Sequence, residues 1–443
     1  IADLGGACLV SFLVVGVNAV ILEWVLRSNW IRSRLILRES PSSRGGLVFQ
    51  STCLLLFFAA SLAYGSWRIN SAKFTPGPKI ALVQGNVPQG LRNEGSSEDG
   101  SQFPAVRAMK LHYIRLTDFA KKHNPDLVVW PETAWPHEWN EAPEHLLRED
   151  VVLDQRVLRQ VPQKFETPLL VGLNFREWIT TEKAIRYNSA VLFNTDGKIA
   201  GRFDKIHRVP FGEYVPLRDT LKFLNALAPY DYDYSIAIGK DHTRLPVGDY
   251  RFGVVICYED TDAPMAAKYV EPGGRRKVDF LINLSNDGWF AGSNEHGDHL
   301  CFARFRAIEL RRPLARSVNT GISSLVDGNG RVIRPKLTKV EQLENFLNQQ
   351  TEDGKVPRHI EAPIWTINMQ DQDDLPESEW YDYTLKPGVL ICTIPLDNRT
   401  TLYAQWPDAL PQLCWVFLGV YFLTGLYSRF SKRSGDSVQG TES

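Results

Sequence analysis

Residues 253–259 read Gly253-Val254-Val255-Ile256-Cys257-Tyr258-Glu259. Three β-branched residues in a row predict a buried strand. A thiol arrives at its tip, and a carboxylate follows two residues on. Apolar runs of the same kind recur at 79–83, 127–130, 169–173, 190–193, 252–256 and 280–284. Helical spacing fills several of the gaps. Residues 106–123 put Met109, Tyr113, Leu116 and Ala120 on one face, and helical stretches are expected near 145–160, 263–270 and 299–311. Residues 194–198 read as a turn between strands. Short strands apolar on both faces, interleaved with helices, predict an α/β layered domain. No repeat of 20–50 residues appears.

Two further strand ends carry chemistry. Val128-Val129-Trp130-Pro131-Glu132 stops an apolar run at a proline and presents a carboxylate. Gly201-Arg202-Phe203-Asp204-Lys205 leads into Val209-Pro210-Phe211-Gly212-Glu213-Tyr214-Val215-Pro216. Taken singly, each residue has an ordinary reading. A Glu after Pro is a turn residue, a lone Lys is solvated, and a Cys ending an apolar run is a small core hydrophobe. Together, a thiol, an ammonium and a carboxylate at three strand ends are the parts of a Cys nucleophile activated without His.

The distribution of charge adds a second layer. The 443 residues hold 50 Lys plus Arg against 51 Asp plus Glu, a net charge of −1. That balance argues against a nucleic-acid binder. With 44% of residues apolar and 11% aromatic, the chain is not disordered. Three stretches hold no charge at all: 4–22, 47–64 and 413–427, of 19, 18 and 15 residues. At the average of 23% charged, they would share about 12 charges. A bilayer core of ~30 Å needs ~20 mostly apolar helical residues, so each reads as a membrane span, with buried core helices as the alternative. A signal peptide fits the first stretch poorly, because a basic start is missing and a second span follows.

The loop between the first two spans carries Arg27, Arg32, Arg34, Arg38 and Arg44, with Glu39 against them. The tail carries Arg429, Lys432 and Arg433. Positive loops stay cytoplasmic, so the long middle is expected on the opposite face. The predicted organisation is therefore threefold. Residues 1–73 hold two transmembrane helices (about 4–26 and 47–67) and a basic cytoplasmic loop. Residues 74–410 form the catalytic domain, with a polar insertion at about 335–385. Residues 411–443 hold a last transmembrane helix and a basic tail. Within this scheme 90–101 reads as a mobile loop. The insertion, with its acidic stretch 371–382, reads as a solvated loop. The chain opens at Ile1 rather than Met, as expected of a fragment whose earlier part is missing. Cys8, Cys53 and Cys414 fall in the spans, while Cys257, Cys301 and Cys392 fall outside. With no CxxC pair, no disulfide framework is predicted.

The three strand ends resemble the Glu–Lys–Cys signature of the carbon–nitrogen hydrolase (nitrilase) superfamily, and in particular its apolipoprotein N-acyltransferase branch. The resemblance is carried by residues 207–216 (His-Arg-Val-Pro-Phe-Gly-Glu-Tyr-Val-Pro), 256–259 (Ile-Cys-Tyr-Glu) and 283–290 (Asn-Leu-Ser-Asn-Asp-Gly-Trp-Phe). It is also carried by 303–310 (Ala-Arg-Phe-Arg-Ala-Ile-Glu-Leu) and 401–404 (Thr-Leu-Tyr-Ala). It implies a nitrilase-like α-β-β-α sandwich flanked by transmembrane helices. It further implies Cys257 as nucleophile, Glu132 as general base and Lys205 as oxyanion-side cation, with Glu213, Tyr258 and Glu259 in support. Glu213 would hold either Lys205 or Glu132. The implied reaction moves an acyl chain from a phospholipid, through a Cys257 thioester, to the α-amino group of the S-diacylglyceryl cysteine that begins an apolipoprotein. No cofactor or metal is implied. The resemblance also implies a monomer in the bacterial inner membrane with its catalytic domain on the periplasmic side. A membrane-anchored amidase and an inactive membrane scaffold are the alternatives.

The chain departs from the family in places. Arg92-Asn93 stands where the family has Lys-Trp, and Gly297-Asp298 stands where it has Trp-Gln. The insertion is longer than usual, and the family has eight spans against three here. Weaker motifs were also weighed. Asn283-x-Ser285-x-Asp287-Gly288 resembles a calcium loop without the closing Glu. His296 and His299 lack an HExxH partner motif. His207 is an alternative partner for Cys257. Asn398-Arg399-Thr400 is a glycosylation sequon only in a eukaryotic secretory setting.

Overall fold

The structure is a computed structural model. It describes residues 1–34, 43–95, 103–180, 182–217, 235–270, 277–290, 293–347, 357–371 and 373–436, with 220, 221, 223, 224 and 355. The chain forms two compact units, one of residues 1–70 with 401–443 and one of residues 71–400. The first unit opens with α1 (Ala2–Val25), the short α2 (Asn29–Arg34) and α3 (Arg44–Asn70). Helix α1 breaks at Gly5–Gly6, where Gly6 takes φ 67°, open at little cost only to glycine. Just before the break, the buried Asp3 accepts a hydrogen bond from Arg68 at 2.7 Å and one from Tyr64 at 3.3 Å. The start of α1 is thereby tied to the end of α3. Arg38 and Glu39 lie outside the described residues.

The second unit begins with β1 (Phe74–Gln84), α4 (Gln89–Gly95), α5 (Phe103–Lys121), β2 (Leu127–Trp130), β3 (Trp139–Glu141) and α6 (Glu149–Phe165). It continues through β4 (Leu169–Trp178), β5 (Ala184–Phe193), β6 (Ile199–Asp204), β7 (Leu245–Val247), β8 (Tyr250–Ile256), α7 (Ala263–Ala267), β9 (Phe280–Ser285) and α8 (Glu295–Leu310). It closes with β10 (Leu314–Val318), β11 (Ser324–Val326), β12 (Lys336–Glu344), β13 (His359–Ile367) and β14 (Gly388–Asp397). One sheet runs β12-β13-β14-β1-β2-β4-β5-β6, with β3 beside β4. The other runs β11-β10-β9-β8-β7.

The two sheets pack face to face. The Ser317 hydroxyl of β10 lies 3.2 Å from the carbonyl of Val83 on β1 and 3.3 Å from that of Val129 on β2. Helix α5 covers the larger sheet, burying the predicted stripe Met109, Tyr113, Leu116 and Ala120 against Val83, Val128 and Trp130. Helix α8 covers the smaller one. The result is the α-β-β-α sandwich. Strands β1, β2 and β4 are parallel, as are β8, β9 and β10. Strand β6 runs antiparallel to β5, which is itself antiparallel to β4. So β2, β4 and β6 end on one edge, and the segments after β2 and β6 emerge together.

Two loop expectations are corrected. Residues 89–95 form α4 rather than loop, because Leu91 packs on the core and Arg92 is buried. Residues 96–101 lie outside the described residues. The insertion is not a solvated loop either. Strands β12 and β13 pair antiparallel, and β13 adds parallel to β14, so the stretch widens the larger sheet. Its alternating pattern buries Ala362, Ile364 and Leu343, while polar neighbours mask the signal. The acidic run is engaged as well: Asp371 pairs with Lys336, Glu379 with Arg334 and Glu377 with Arg304.

The chain returns to the first unit as α9 (Ala409–Asp436). Three helices are long and apolar enough to cross a membrane: Ala2–Val25, Arg44–Asn70 and Ala409–Ser428. They are not the buried core helices of the alternative reading. Trp415 and Phe417 are each 72% exposed and Leu56 is 66% exposed, as lipid-facing side chains should be in the absence of lipid.

Candidate active site

Strand β2 ends at Trp130, and Pro131 directs Glu132 into a buried turn. That turn lies against Gly172 of β4. A Cβ there would stand 2.4 Å from the Pro131 carbonyl oxygen and 2.6 Å from Glu132 Cα, so only glycine allows the approach. Thr133 sits at φ 45°, an uncommon conformation for a β-branched residue. The buried guanidinium of Arg92 on α4 holds this strained turn, donating from Nη2 to the carbonyls of Glu132 at 2.9 Å and Thr133 at 2.7 Å. Gly172→Ala should displace Glu132, and a shift approaching 1 Å costs about 100-fold in rate. Wild-type turnover in that variant, measured with correct folding, would rule the packing argument out.

Lys205 is the first residue after β6, and its backbone N–H donates to the Asn188 carbonyl on β5 at 2.8 Å. Its ammonium is 1% exposed. Nζ donates to Glu213 Oε1 at 2.6 Å and stands 3.7 Å from Glu132 Oε1. Burial works against this charge, but Cys257, Glu132 and Glu213 outweigh it and hold the Lys205 pKa above its ordinary value. Of the two roles open to Glu213, the geometry therefore favours holding Lys205. Its second oxygen accepts the Val209 N–H at 2.8 Å, which fixes the carboxylate from behind.

Strand β8 delivers Cys257 as the first residue of a tight 3-10 turn, Cys257–Thr261, at φ 51°. The residue keeps some exposed surface. Burial of the thiol pushes its pKa well above the ordinary value, and Glu132 adds to this while Lys205 opposes it. Glu259 is fully buried and joins two strand ends. Its Oε1 accepts the N–H groups of Ile206 at 2.6 Å and His207 at 2.9 Å, and its Oε2 accepts that of Ile256 at 2.7 Å. The segments just after Lys205 and just before Cys257 are thus held by one carboxylate. Burial raises its pKa to about 7 despite those bonds. Tyr258 is 41% exposed, its ring 5.6 Å from that of His207.

The remaining motifs resolve differently. His207 pairs with Asp262 at 2.7 Å and meets Tyr258. The calcium-like run is a strand followed by a 3-10 turn: Asn283 and Ser285 lie in β9, and Ser285 Oγ donates to Asp287 Oδ1 at 2.7 Å. His296 bonds the Asp287 carbonyl at 3.1 Å. Asp287, Glu295 and His299 do place three ligand atoms within 4.8 Å. Positive charge is already supplied there by Arg316, 2.8 Å from Asp287 and 3.0 Å from Asp260. His299 supplies more: burial lowers its pKa, but Asp260 leads the opposing effects and lifts it to about 10. At Gly297, where the family has Trp, a Cβ would stand 3.0 Å from the Tyr381 hydroxyl. The departure makes room for the insertion.

Sequence reasoning missed Asn188, whose Nδ2 donates to Glu132 Oε1 at 2.7 Å, and Arg92 as the support of the Glu132 turn. Asn188 stands among Arg186, Tyr187 and Ser189 on its strand, so no local signal marked the first. The departure at 92 was the signal for the second.

Comparison with known proteins follows the same lines. An apolipoprotein N-acyltransferase from Geobacter metallireducens is 32% identical over 334 residues, covering 75% of this chain and 57% of its own. One from Bdellovibrio bacteriovorus is 32% identical over 319 residues, covering 70% and 56%. The chain thus spans a little over half the length of these curated relatives. The crystal structure of a carbon-nitrogen hydrolase from Helicobacter pylori G27 overlaps 58% of this chain and 84% of that one, at 20% identity and a TM-score of 0.40. The carbon-nitrogen hydrolase family model matches residues 79–342, which run from β1 into β12 and take in all three strand ends. With more than half of the sequence matched and an α-β-β-α sandwich beneath it, this chain belongs to the carbon-nitrogen hydrolase family.

Proposed function

We propose that the protein is a membrane-embedded N-acyltransferase that carries an acyl chain on Cys257 between a phospholipid and the α-amino group of a diacylglyceryl-cysteine apolipoprotein. The observation that carries this reading is the buried Lys205 ammonium, bonded to Glu213 at 2.6 Å and 3.7 Å from Glu132, with Glu259 bonded to the segments just after Lys205 and just before Cys257. The names of the curated relatives support the acceptor. Three apolar helices support a lipid donor. The arginine-rich loop supports a non-cytoplasmic placement of the catalytic unit.

In the first half-reaction Glu132 takes the thiol proton as sulfur attacks the ester carbonyl. Burial disfavours the thiolate, and that transfer answers it. Lys205 faces the developing oxyanion, an interaction worth about 10²–10³ in rate per donor. The C–O bond breaks, the lysophospholipid oxygen takes the proton back from Glu132, and the thioester remains. In the second half-reaction the amine nitrogen attacks the thioester carbonyl, the C–S bond breaks, and Glu132 passes the amine proton to the departing sulfur. Glu213 holds Lys205. Glu259 keeps the lysine and cysteine strand ends in register, and Tyr258 flanks the nucleophile on the accessible side.

Mass spectrometry after incubation with phospholipid tests the reading. An acyl adduct on Cys257, absent in Cys257→Ala, is expected. An unmodified wild-type Cys257, with the variant equally active, would sink it. Comparing amine acylation with hydrolysis of small amides separates the transferase from a membrane-anchored amidase. An inactive scaffold predicts a Cys257 that neither alkylates near neutral pH nor acquires an acyl adduct.

A further inference from the structure

Asn188 lies on β5 opposite Lys205, linked to it through the Lys205 N–H and its own carbonyl. It is 5% exposed. Its Nδ2 donates to Glu132 Oε1 at 2.7 Å and reaches Glu213 Oε1 at 3.5 Å. The NH2 end of the amide faces Glu132, and an amide N–H donates to a carboxylate oxygen. Asn188 Oδ1 has no protein partner among the described residues, so no network of its own orients the amide. Lys205 stands too far from Glu132 for a hydrogen bond, at 3.7 Å. Among the described residues, Asn188 is the side chain that hydrogen-bonds the Glu132 carboxylate, and the bond occupies Oε1.

We propose that Asn188 is the positioning residue of the proton transfer: by holding Glu132 Oε1, it leaves Oε2 as the atom that takes the Cys257 proton. The inference rests on the proposed roles of Glu132 and Cys257. A carboxylate tethered at one oxygen cannot rotate to satisfy both oxygens on Lys205. The ammonium thus stays with Glu213 and remains available to the oxyanion. The amide also separates two carboxylates that would otherwise compete for one cation, and it does so without adding charge. An aspartate in its place has the same shape but donates only when protonated, which gives a distinctive signature.

The test uses the full chain in detergent micelles or nanodiscs. Acylation of Cys257 is followed with phospholipid and, separately, with 4-nitrophenyl butyrate. The ester reports the base whatever the natural donor is, so an unacylated wild type with phospholipid but not with the ester counts against the proposed donor and leaves this test intact. Asn188→Leu should slow acylation about 100-fold at unchanged KM, the scale of a general base put out of place. In a Glu132→Gln background the same substitution should have little effect, because the amide acts through that carboxylate. Asn188→Asp should be slow near about pH 8 and quicken toward about pH 5, opposite to wild type, as its carboxyl becomes a donor. Asn188→Leu within about threefold of wild type would overturn the proposal. So would an Asn188→Asp profile parallel to wild type, or an undiminished Asn188→Leu effect in the Glu132→Gln background. Should Asn188→Leu fail to fold, the near-isosteric Asn188→Asp decides the matter.

Discussion

Lys205→Met lowers the rate of Cys257 acylation by about 1,000-fold or more, the upper end for loss of an oxyanion donor. The cause is wider than one missing contact. Lys205 donates to the half-buried Glu213 at 2.6 Å and stands 3.7 Å from the buried Glu132, and it opposes the rise in the Cys257 pKa. Without it, Glu132 and Glu213 face each other across Asn188 with no compensating charge. The substitution removes both the oxyanion donor and the partner that Glu213 holds in place. Single-turnover acylation of Lys205→Met checks this. A rate within about tenfold of wild type would remove the lysine from the mechanism.

Arg316→Met costs the 71–400 unit about 3–5 kcal/mol, the range for breaking a buried ion pair from one side. Arg316 on β10 is completely buried and donates to Asp260 Oδ2 at 3.0 Å and Asp287 Oδ2 at 2.8 Å. Those acids lie in the 3-10 turns that follow β8 and β9. The guanidinium therefore joins the turn that begins at Cys257 to its neighbour. Burial alone would raise the Asp287 pKa. Arg316 leads the groups that hold it below the usual carboxylate range. Removing the arginine leaves His299 to neutralise both acids. Equilibrium unfolding of Arg316→Met beside Arg316→Met/Asp287→Asn measures the effect, and the double variant should recover part of the loss. An unfolding midpoint equal to wild type would show the network to be ornamental.

How much of this was readable in advance depended on whether apolar patterning carried the information. Residues 127–130, 252–256 and 280–284 are apolar on both faces and announce buried parallel strands, so the sandwich was legible. Cys257, Glu132 and Lys205 follow strand ends, positions that the apolar runs before them marked in advance. Asn188 and Arg316 were not foreseeable in that way. Both act by pairing across strands distant in sequence, and spacing contains nothing about such pairings. Strands β12 and β13 escaped for another reason. At the edge of the sheet they mix exposed charges such as Lys336, Lys339 and Glu361 with buried Ala362 and Ile364. That pattern protects an edge from unwanted pairing and reads locally as loop.

The upward push on the Cys257 pKa has a further consequence. Oxidants attack thiolates far faster than thiols, and oxidation beyond the sulfenic acid is not ordinarily reversed. In the proposed reaction, a thiol whose burial disfavours ionisation until the acyl donor arrives offers peroxide less thiolate between turnovers. The thiol trades readiness for durability.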